Sequence, residues 1–149
     1  MKSVLTVLSD VDIEKRIRNG SLILAPFEPG SLNGAGYDLR LGMDVTLPVG
    51  KHQLVATLER VELPADLAGT LHVRSSVARV GVMGNLALVD PGFRGQLTIS
   101  LFNGSSEPRS MKKGDRFLQM VLHLLSTKTQ RPYNGKYQDS QGIVETRSE

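Results

Sequence analysis

The most informative stretch of the 149-residue sequence contains three arginines and a single acidic residue. Over residues 67–106 the only carboxylate is Asp90, and the cations are Arg74, Arg79 and Arg94. Nearby cations lower the pKa of a carboxyl group and attract anions. The charge pattern therefore predicts an ionised aspartate beside a bound polyphosphate, where it would activate a water molecule.

Arg74 is followed by two serines, Ser75 and Ser76, at the end of a predicted strand. A guanidinium fork and two hydroxyls offer many directional donors, which suits phosphate oxygens. The alternative is a strand end whose serines satisfy local backbone groups, and spacing alone favours that alternative. Asp90 also has a structural alternative, in which it opens a Pro-Gly turn and its carboxylate bonds to backbone amides.

The three histidines and Asp38 are weaker candidates. His52, His72 and His123 are isolated in strand-like segments with no carboxylate at ligand spacing, so we expect strand or core residues and no metal site. Asp38 follows two glycines. In a functional interpretation, the glycines allow a ligand to approach closely and Asp38 binds a hydrated cation. In the structural interpretation, the segment is a strand between glycines, and Asp38 is a polar residue that faces outward.

One helix and a series of short strands must position these residues. Ser9 and Asp12 form a predicted capping pair, and Asn19 with Gly20 ends the helix. The following segments are rich in Val, Leu, Ile and Thr and are separated by Asn-Gly and Pro-Gly turns, which favours a barrel or sandwich. The predicted strands are 21–25, 37–42, 53–61, 69–74, 86–89, 96–102 and 116–125.

The end of the chain, residues 130–149, is polar and has no alternation. We expect a C-terminal lid or tail without a core of its own, within a single domain of residues 1–149. The tail contains two tyrosines and a lysine near its centre, and amphipathic rings in such a segment usually cover another surface.

The composition excludes several classes of protein. Because cysteine is absent, disulfide scaffolds, Fe–S clusters, thiol nucleophiles and cysteine-containing zinc sites are excluded. A hydrophobic content of 40% is ordinary for a soluble protein, and no segment predicts a signal peptide or membrane span. The net charge of +3 is too small to argue for nucleic-acid binding. We expect a cytoplasmic protein that binds neither membranes nor nucleic acid.

Four motifs resemble those of the trimeric dUTPase and dCTP deaminase superfamily, in the same order and over nearly the whole chain. The start of the chain (LSDVDI, 8–13) and its tail (YNGKYQ, 133–138) resemble the deaminase branch and the archaeal dUTPases that share these ends. The resemblance implies an all-β fold, a distorted jelly-roll-like β-barrel with one short N-terminal helix, and a homotrimer with sites at subunit interfaces. The motifs are AGYDL at 35–39, VRSSVARVG at 73–81, LVDPGFRGQ at 88–96 and GDRFLQ at 114–119.

The resemblance also implies hydrolysis of dUTP to dUMP and pyrophosphate, with Mg²⁺ bridging the triphosphate. Asp90 would activate the attacking water, and residues 84–90 would form a hairpin that reads the pyrimidine edge, helped by Asn85. Phe93 would lie beneath the deoxyribose, and Arg79 would reach across the subunit interface. The remaining implied residues are Arg74, Ser75 and Ser76 on the phosphates, Asp38 on magnesium through water, and Tyr133, Lys136 and Gln138 in the lid.

One position bears on the choice of reaction. Deaminases of this superfamily use a glutamate ten residues after the conserved aspartate, and that position is Ser100. A hydroxyl does not titrate near neutrality and cannot replace a carboxylate as general acid and base. The sequence therefore favours dUTP hydrolysis. The main alternative is dCTP deamination, alone or together with dUTP hydrolysis on one chain. A less favoured alternative is a nucleotide-binding module without catalysis. Further candidate ligands are dCTP and dTTP.

Overall fold

Strand residues alternate between a buried and an accessible face, which closes two antiparallel sheets around a shared apolar core. The computed structural model of the protein describes residues 6–148, and it confirms the predicted jelly-roll-like β-barrel with a short N-terminal helix. Glu149, the last residue of the predicted tail, lies outside the described residues. The elements are β1 (Thr6–Val7), α1 (Asp10–Arg18), β2 (Ile23–Ala25), β3 (Leu32–Asn33), β4 (Gly36–Arg40), β5 (Val45–Leu47), β6 (His52–Glu62), β7 (Leu67–Val73), α2 (Ser75–Ala78), β8 (Val82–Asn85), β9 (Arg94–Asn103), β10 (Arg109–Met111) and β11 (Arg116–Leu124).

Strand β11 is the centre of the first sheet. One of its edges pairs with β1 and with β4, which continues to β3, and its other edge pairs with β7. The second sheet has the order β2-β6-β9-β8, and β5 with β10 forms a small separate ribbon. Because β11 pairs with both β4 and β7, three segments that are distant in sequence meet along it.

Strand β9 shows how the core and an outer face are separated. Gly95, Leu97, Ile99, Leu101 and Asn103 are buried, and the residues between them are accessible. A strand with this period of two presents the accessible residues on a single face. The even-numbered residues of β9, including Ser100, therefore form part of the outer surface of the second sheet.

The N-terminal helix forms as the sequence predicts. Ser9 accepts a hydrogen bond from the Asp12 backbone while the Asp12 carboxylate accepts from Ser9, which is a complete capping box. Ile13 is fully buried, and Gly20 follows the helix with a φ of 75°. Across residues 6–148, the helices are too short to cross a membrane.

Two predictions about the middle of the chain are wrong. Residues 86–89 do not form a strand; Val82–Asn85 is the strand there, and it pairs with β9. Residues 84–90 are consequently not a hairpin, because the chain leaves β8 at Asn85 and touches the other sheet through a bridge between Val89 and Gly69. Gly84 interrupts the apolar pattern of the observed strand, whereas residues 86–89 are a continuous apolar run, which favoured the wrong segment.

Candidate active site

The first group of predicted residues meets at one end of β11. Pairing places Gln119 of β11 opposite Asp38 of β4 and opposite His72 of β7, and Arg74 directly follows β7. Gly36 allows this close packing, since a Cβ there would lie 2.5 Å from the carbonyl oxygen of Met120. We call the resulting set the Arg74 cluster; it surrounds a cavity of about 380 Å³ and comprises Asn33, Asp38, Arg74, Ser75, Arg116 and Gln119.

The Arg74 cluster contains two guanidinium groups around one carboxylate. Asp38 Oδ2 forms an ion pair with Arg74 Nε at 2.9 Å and lies 4.0 Å from Arg116 Nη1. Its other oxygen accepts from the Asn33 amide at 3.1 Å, and Gln119 in turn donates to Asn33. Because two cations share one buried anion, the cluster carries a net positive charge beside its cavity, as an anion-binding site requires.

The same geometry argues against a protein-bound magnesium ion at Asp38. Its side chain is only 8% exposed, and both oxygens are already engaged, by Arg74 and by Asn33. Mg²⁺ needs accessible oxygen ligands in octahedral geometry. Residues 6–148 hold no group of three or more acidic, histidine or cysteine side chains that could cage a metal, so Asp38 has no partners among them for a directly bound Mg²⁺.

The two serines after Arg74 point to different places. Both belong to α2, their hydroxyls have no hydrogen-bond partner among residues 6–148, and the helix has no side-chain cap. The structural alternative, serines that satisfy local backbone groups, is therefore not what forms. Ser75 lines the cavity of the Arg74 cluster, whereas Ser76 lines a neighbouring cavity together with β10. Arg79, at the end of α2, is exposed.

A second cavity, of about 330 Å³, lies on the outer face of β9 beneath the C-terminal tail. Its walls include apolar side chains such as Phe93 and Leu54, together with the neutral polar groups of Asn85, Gln96 and Ser100. No lining side chain is a carboxylate, an ammonium, a guanidinium or an imidazole. We call it the Phe93 cavity; its chemistry suits a small, flat, uncharged group with hydrogen-bonding edges.

One titratable side chain stands directly behind this cavity. Nδ1 of His52 lies 3.3 Å from Oγ of Ser100, which lines the cavity. His52 and the other two histidines are in strands, as predicted. The sequence contains no local signal for the contact between His52 and Ser100, because 48 residues separate them and only the pairing of β6 with β9 brings them together.

Asp90 is exposed and forms no ion pair or side-chain hydrogen bond with residues 6–148. Within one chain, two of the arginines expected to lie near it pair with other carboxylates, Arg74 with Asp38 and Arg94 with Asp139. Asp90 does open the Pro-Gly turn of the structural alternative, but its main-chain carbonyl closes the turn by accepting from the Phe93 amide, and its carboxylate bonds to no backbone amide of residues 6–148. The carboxylate is thus uncommitted.

The tail folds back onto the turn that follows Asp90. The Tyr133 amide donates to the Pro91 carbonyl at 2.7 Å, and the Tyr133 ring packs edge-on against Phe93, with 5.6 Å between centroids. Gln138 is held on both sides of its amide, donating to the Gly92 carbonyl and accepting from the Arg94 amide. In this arrangement Gln138 ties the tail to the turn and has no free group for a substrate.

An ion-pair cluster fastens the same part of the tail. Asp139 pairs with Arg60 of β6 and with Arg94 of β9, and hydrogen bonds from Arg60 and then Arg94 lower the pKa of Asp139. Lys136 points away, donating to the Arg147 carbonyl at 2.7 Å and lying 5.6 Å from the centre of the Tyr137 ring. The segment is ordered by its contacts with the barrel, and its role as a moving lid stays a prediction.

Within one chain the predicted site residues therefore fall into separate places. Arg74, Ser75 and Asp38 share one cavity, and Asn85 and Phe93 share another. Tyr133 and Gln138 line a third cavity of about 500 Å³ on the other side of the tail. The sequence prediction did not assign Asn33, Arg116 or Gln119 to the site, although Arg116 and Gln119 lie in the last of the four motifs and thus offered a signal.

The sequence of this chain is similar to those of known dCTP deaminases and of a viral dUTPase. The model of a family described as dCTP deaminase-like matches residues 43–125. The dCTP deaminase of Thermococcus gammatolerans is 43% identical, over 93% of this chain and 94% of its own length. That of Pyrococcus horikoshii is 40% identical, over 93% and 95%. The probable deoxyuridine 5'-triphosphate nucleotidohydrolase of Sulfolobus islandicus rod-shaped virus 1 is 33% identical, over 93% and 96%.

Solved structures agree on the fold. The dCTP deaminase of Agrobacterium tumefaciens has a TM-score of 0.71 at 18% identity, covering 82% of this chain and 49% of its own. A mutant dUTPase from phage phi11 of Staphylococcus aureus, whose structure describes a structural Mg(II) ion, has a TM-score of 0.59 at 18% identity, covering 78% and 98%. At these identities the likeness establishes the fold alone.

Proposed function

Since the chain belongs to the dCTP deaminase-like family of the dUTPase and dCTP deaminase superfamily, we propose that it is an enzyme acting on a pyrimidine deoxyribonucleoside triphosphate. The net positive Arg74 cluster suits the triphosphate, and the uncharged Phe93 cavity suits the base. Two reactions are candidates, deamination of dCTP and hydrolysis of dUTP, and a different observation favours each.

Deamination of dCTP is the first candidate, and it is supported by the similarity of this chain to its relatives. The two dCTP deaminases described above match 93% of this chain at 43% and 40% identity. Water would add to C4 of cytosine and ammonia would leave, so a proton must reach the departing nitrogen. No carboxylate lines the cavity, so this proton would have to pass from the imidazole of His52 through the hydroxyl of Ser100, which lies 3.3 Å from it and lines the cavity.

Hydrolysis of dUTP is the second candidate, and the chain's own residues favour it. The Phe93 cavity has no carboxylate, so the acid and base catalyst expected of a deaminase is absent there. Asp90, in contrast, is exposed and uncommitted. In this reaction water attacks the α-phosphorus, the bond to the pyrophosphate oxygen breaks, and Asp90 accepts the proton of the water. The viral relative named for this reaction is 33% identical.

Either reaction requires a phosphate-binding group and a base-binding cavity in one site, and within a single chain these lie apart. The Arg74 cluster and the Phe93 cavity have no lining residue in common, and Asp90 lines neither. We therefore propose that a neighbouring subunit completes each site, in the homotrimer that the motif resemblance implies. Light scattering would test this state, and a monomer at the concentrations of full activity would contradict it.

The two reactions are separated by one assay. Purified protein would be incubated with Mg²⁺ and either dCTP or dUTP, and nucleotides, ammonia and pyrophosphate would be quantified. Ammonia and dUTP from dCTP identify the deaminase, whereas pyrophosphate and dUMP from dUTP alone identify the hydrolase. Formation of dUMP from both nucleotides identifies both reactions on one chain. If neither nucleotide reacts, the proposed function is wrong.

The role of Asp90 is tested in the same assay. If hydrolysis occurs, Asp90→Asn should lower its rate by about 10²- to 10⁴-fold, because the amide cannot accept the proton of water. Nucleotide binding should persist. Asp44→Asn is the matched control, since Asp44 is an exposed carboxylate that contacts Lys112 and Lys113 and lines neither cavity. Unchanged hydrolysis in Asp90→Asn would remove Asp90 from the mechanism.

A further inference from the structure

The contact between His52 and Ser100 links a titratable group to the otherwise uncharged Phe93 cavity. Leu54 pairs with Ser100 and His52 pairs with Phe102, so His52 and Ser100 are diagonal neighbours on the same sheet face. The distance of 3.3 Å between Oγ and Nδ1 permits a hydrogen bond in either direction. The state of the imidazole therefore decides how the serine hydroxyl is used.

A hydroxyl has one proton to donate, and this fact couples the two sides of Ser100. When His52 is neutral with its proton on Nε2, Nδ1 accepts from Ser100, and the hydroxyl offers only an acceptor to the cavity. When His52 is protonated, Nδ1 donates to Ser100, and the hydroxyl proton is free to point into the cavity. The neutral tautomer with its proton on Nε2 therefore suits a ligand that donates, and the protonated state suits a ligand that accepts.

The two pyrimidines differ in this respect. Cytosine carries a 4-amino group, which donates, and uracil carries a 4-oxo group, which accepts. We propose that His52, acting through the Ser100 hydroxyl, determines which pyrimidine the Phe93 cavity prefers, with neutral His52 protonated on Nε2 favouring cytosine and protonated His52 favouring uracil. The inference rests on the proposed function, because it requires that the ligand is a pyrimidine nucleotide, but it holds for either reaction.

The side chains next to His52 on its sheet face carry no charge. At the neighbouring positions on its sheet face lie Leu54, Phe102, Met83 and Asn85, none of which titrates. The nearest charged residue in sequence is Lys51. From the tail, Val144 and Thr146 line the cavity, and Glu145 between them is exposed. Tyr137 also lines the cavity, and its hydroxyl accepts from the Arg147 amide. The Arg147 side chain donates to the Lys136 carbonyl.

The test is a comparison of binding at two pH values. The dissociation constants of α,β-imido analogues of dUTP and dCTP, which do not undergo hydrolysis, would be measured at pH 5.5 and 8.0. Early time points would check that the dCTP analogue is not deaminated. In the unaltered protein, the preference for the uracil analogue should rise about five- to tenfold at pH 5.5, the effect of one hydrogen bond gained or lost.

Two variants separate this effect from general effects of pH. His52→Gln should give a preference that does not change with pH, because its amide does not titrate. His72→Gln, which alters an exposed histidine on the other sheet, should keep the pH dependence of the unaltered protein. An equal pH dependence in His52→Gln and the unaltered protein would overturn the inference.

A measurement on the unaltered protein covers the case in which His52→Gln does not fold. The imidazole of His52 would be titrated by NMR, and its pKa should rise when the uracil analogue binds and fall when the cytosine analogue binds. Equal pKa values with both analogues would overturn the inference while leaving the proposed function intact. If neither analogue binds, the proposed function fails and this inference fails with it.

Discussion

Replacement of Glu59 by glutamine should strongly destabilise the barrel. The Glu59 side chain is fully buried, and its two oxygens accept from the Arg40 backbone amide at 2.9 Å and from Arg40 Nε at 2.7 Å. The Tyr37 hydroxyl lies 3.5 Å away, and burial raises the pKa of Tyr37, which keeps this hydroxyl protonated. Glu59 thus serves as an acceptor for three donors.

The magnitude follows from what glutamine cannot do. Its amide has one acceptor oxygen where the carboxylate has two, so one Arg40 donor loses its partner. The Arg40 side chain, only 15% exposed, also loses its counter-charge. Breaking a buried ion pair by removing one partner costs about 3–5 kcal/mol. For a chain of this length, we expect a decrease in Tm of about 6–20 °C.

The assay is urea and thermal unfolding at one fixed protein concentration, because stability depends on concentration if the protein is an oligomer. Glu62→Gln is the matched control, since its ion pair with Arg60 is about one-third exposed and should contribute less than about 1 kcal/mol. If the free energies of unfolding of Glu59→Gln and Glu62→Gln agree, the buried pair does not stabilise the fold as we argue. Arg40 is two residues from Asp38, so a shift of β4 should also weaken nucleotide binding.

Two further predictions concern the tail and the helix. Gly95→Ala should release the tail, because a Cβ at Gly95 would lie 2.8 Å from the Ser140 amide nitrogen and the φ of 144° disfavours alanine. Hydrogen exchange of the backbone amides at residues 132–140 should then accelerate. Unchanged protection of these amides would contradict the prediction. The pKa of Asp66 is lowered by hydrogen bonds from Arg16, so this carboxylate stabilises the fold above its ordinary pKa of 3.8, and the contribution is lost as pH falls through the lowered value. Asp66→Asn should accordingly reduce the free energy of unfolding at pH 7 more than at pH 2.5, and equal reductions at the two pH values would exclude this role.

Much of the fold could be predicted because its signals are local. The capping box around Ser9 and the glycine at position 20 define α1 within a dozen residues. The strands that were predicted correctly alternate or are rich in β-branched and leucine residues, as β9 and β11 show. Strand β8 was missed because its four residues contain a glycine and an asparagine, and its stability comes from pairing with β9.

The site was harder to predict than the fold. Arg74, Ser75 and Asp38 do share a cavity, but the sequence does not reveal that Asp38 is neutralised by Arg74 and held by Asn33. The expectation that Arg74, Arg79 and Arg94 lie near Asp90 assumed that nearness in sequence means nearness in space. In the barrel, neighbouring strands separate such residues and turn them to different faces.

By itself the sequence determined the family, the barrel class, the short N-terminal helix and the residue types available for chemistry, because motifs, caps and turns act over a few residues. Only the tertiary structure decided which of those residues meet. Pairing of β11 with both β4 and β7 assembles the Arg74 cluster, and pairing of β6 with β9 sets His52 against Ser100. Strand register is a long-range property, so contacts of this kind become visible only when the chain is folded.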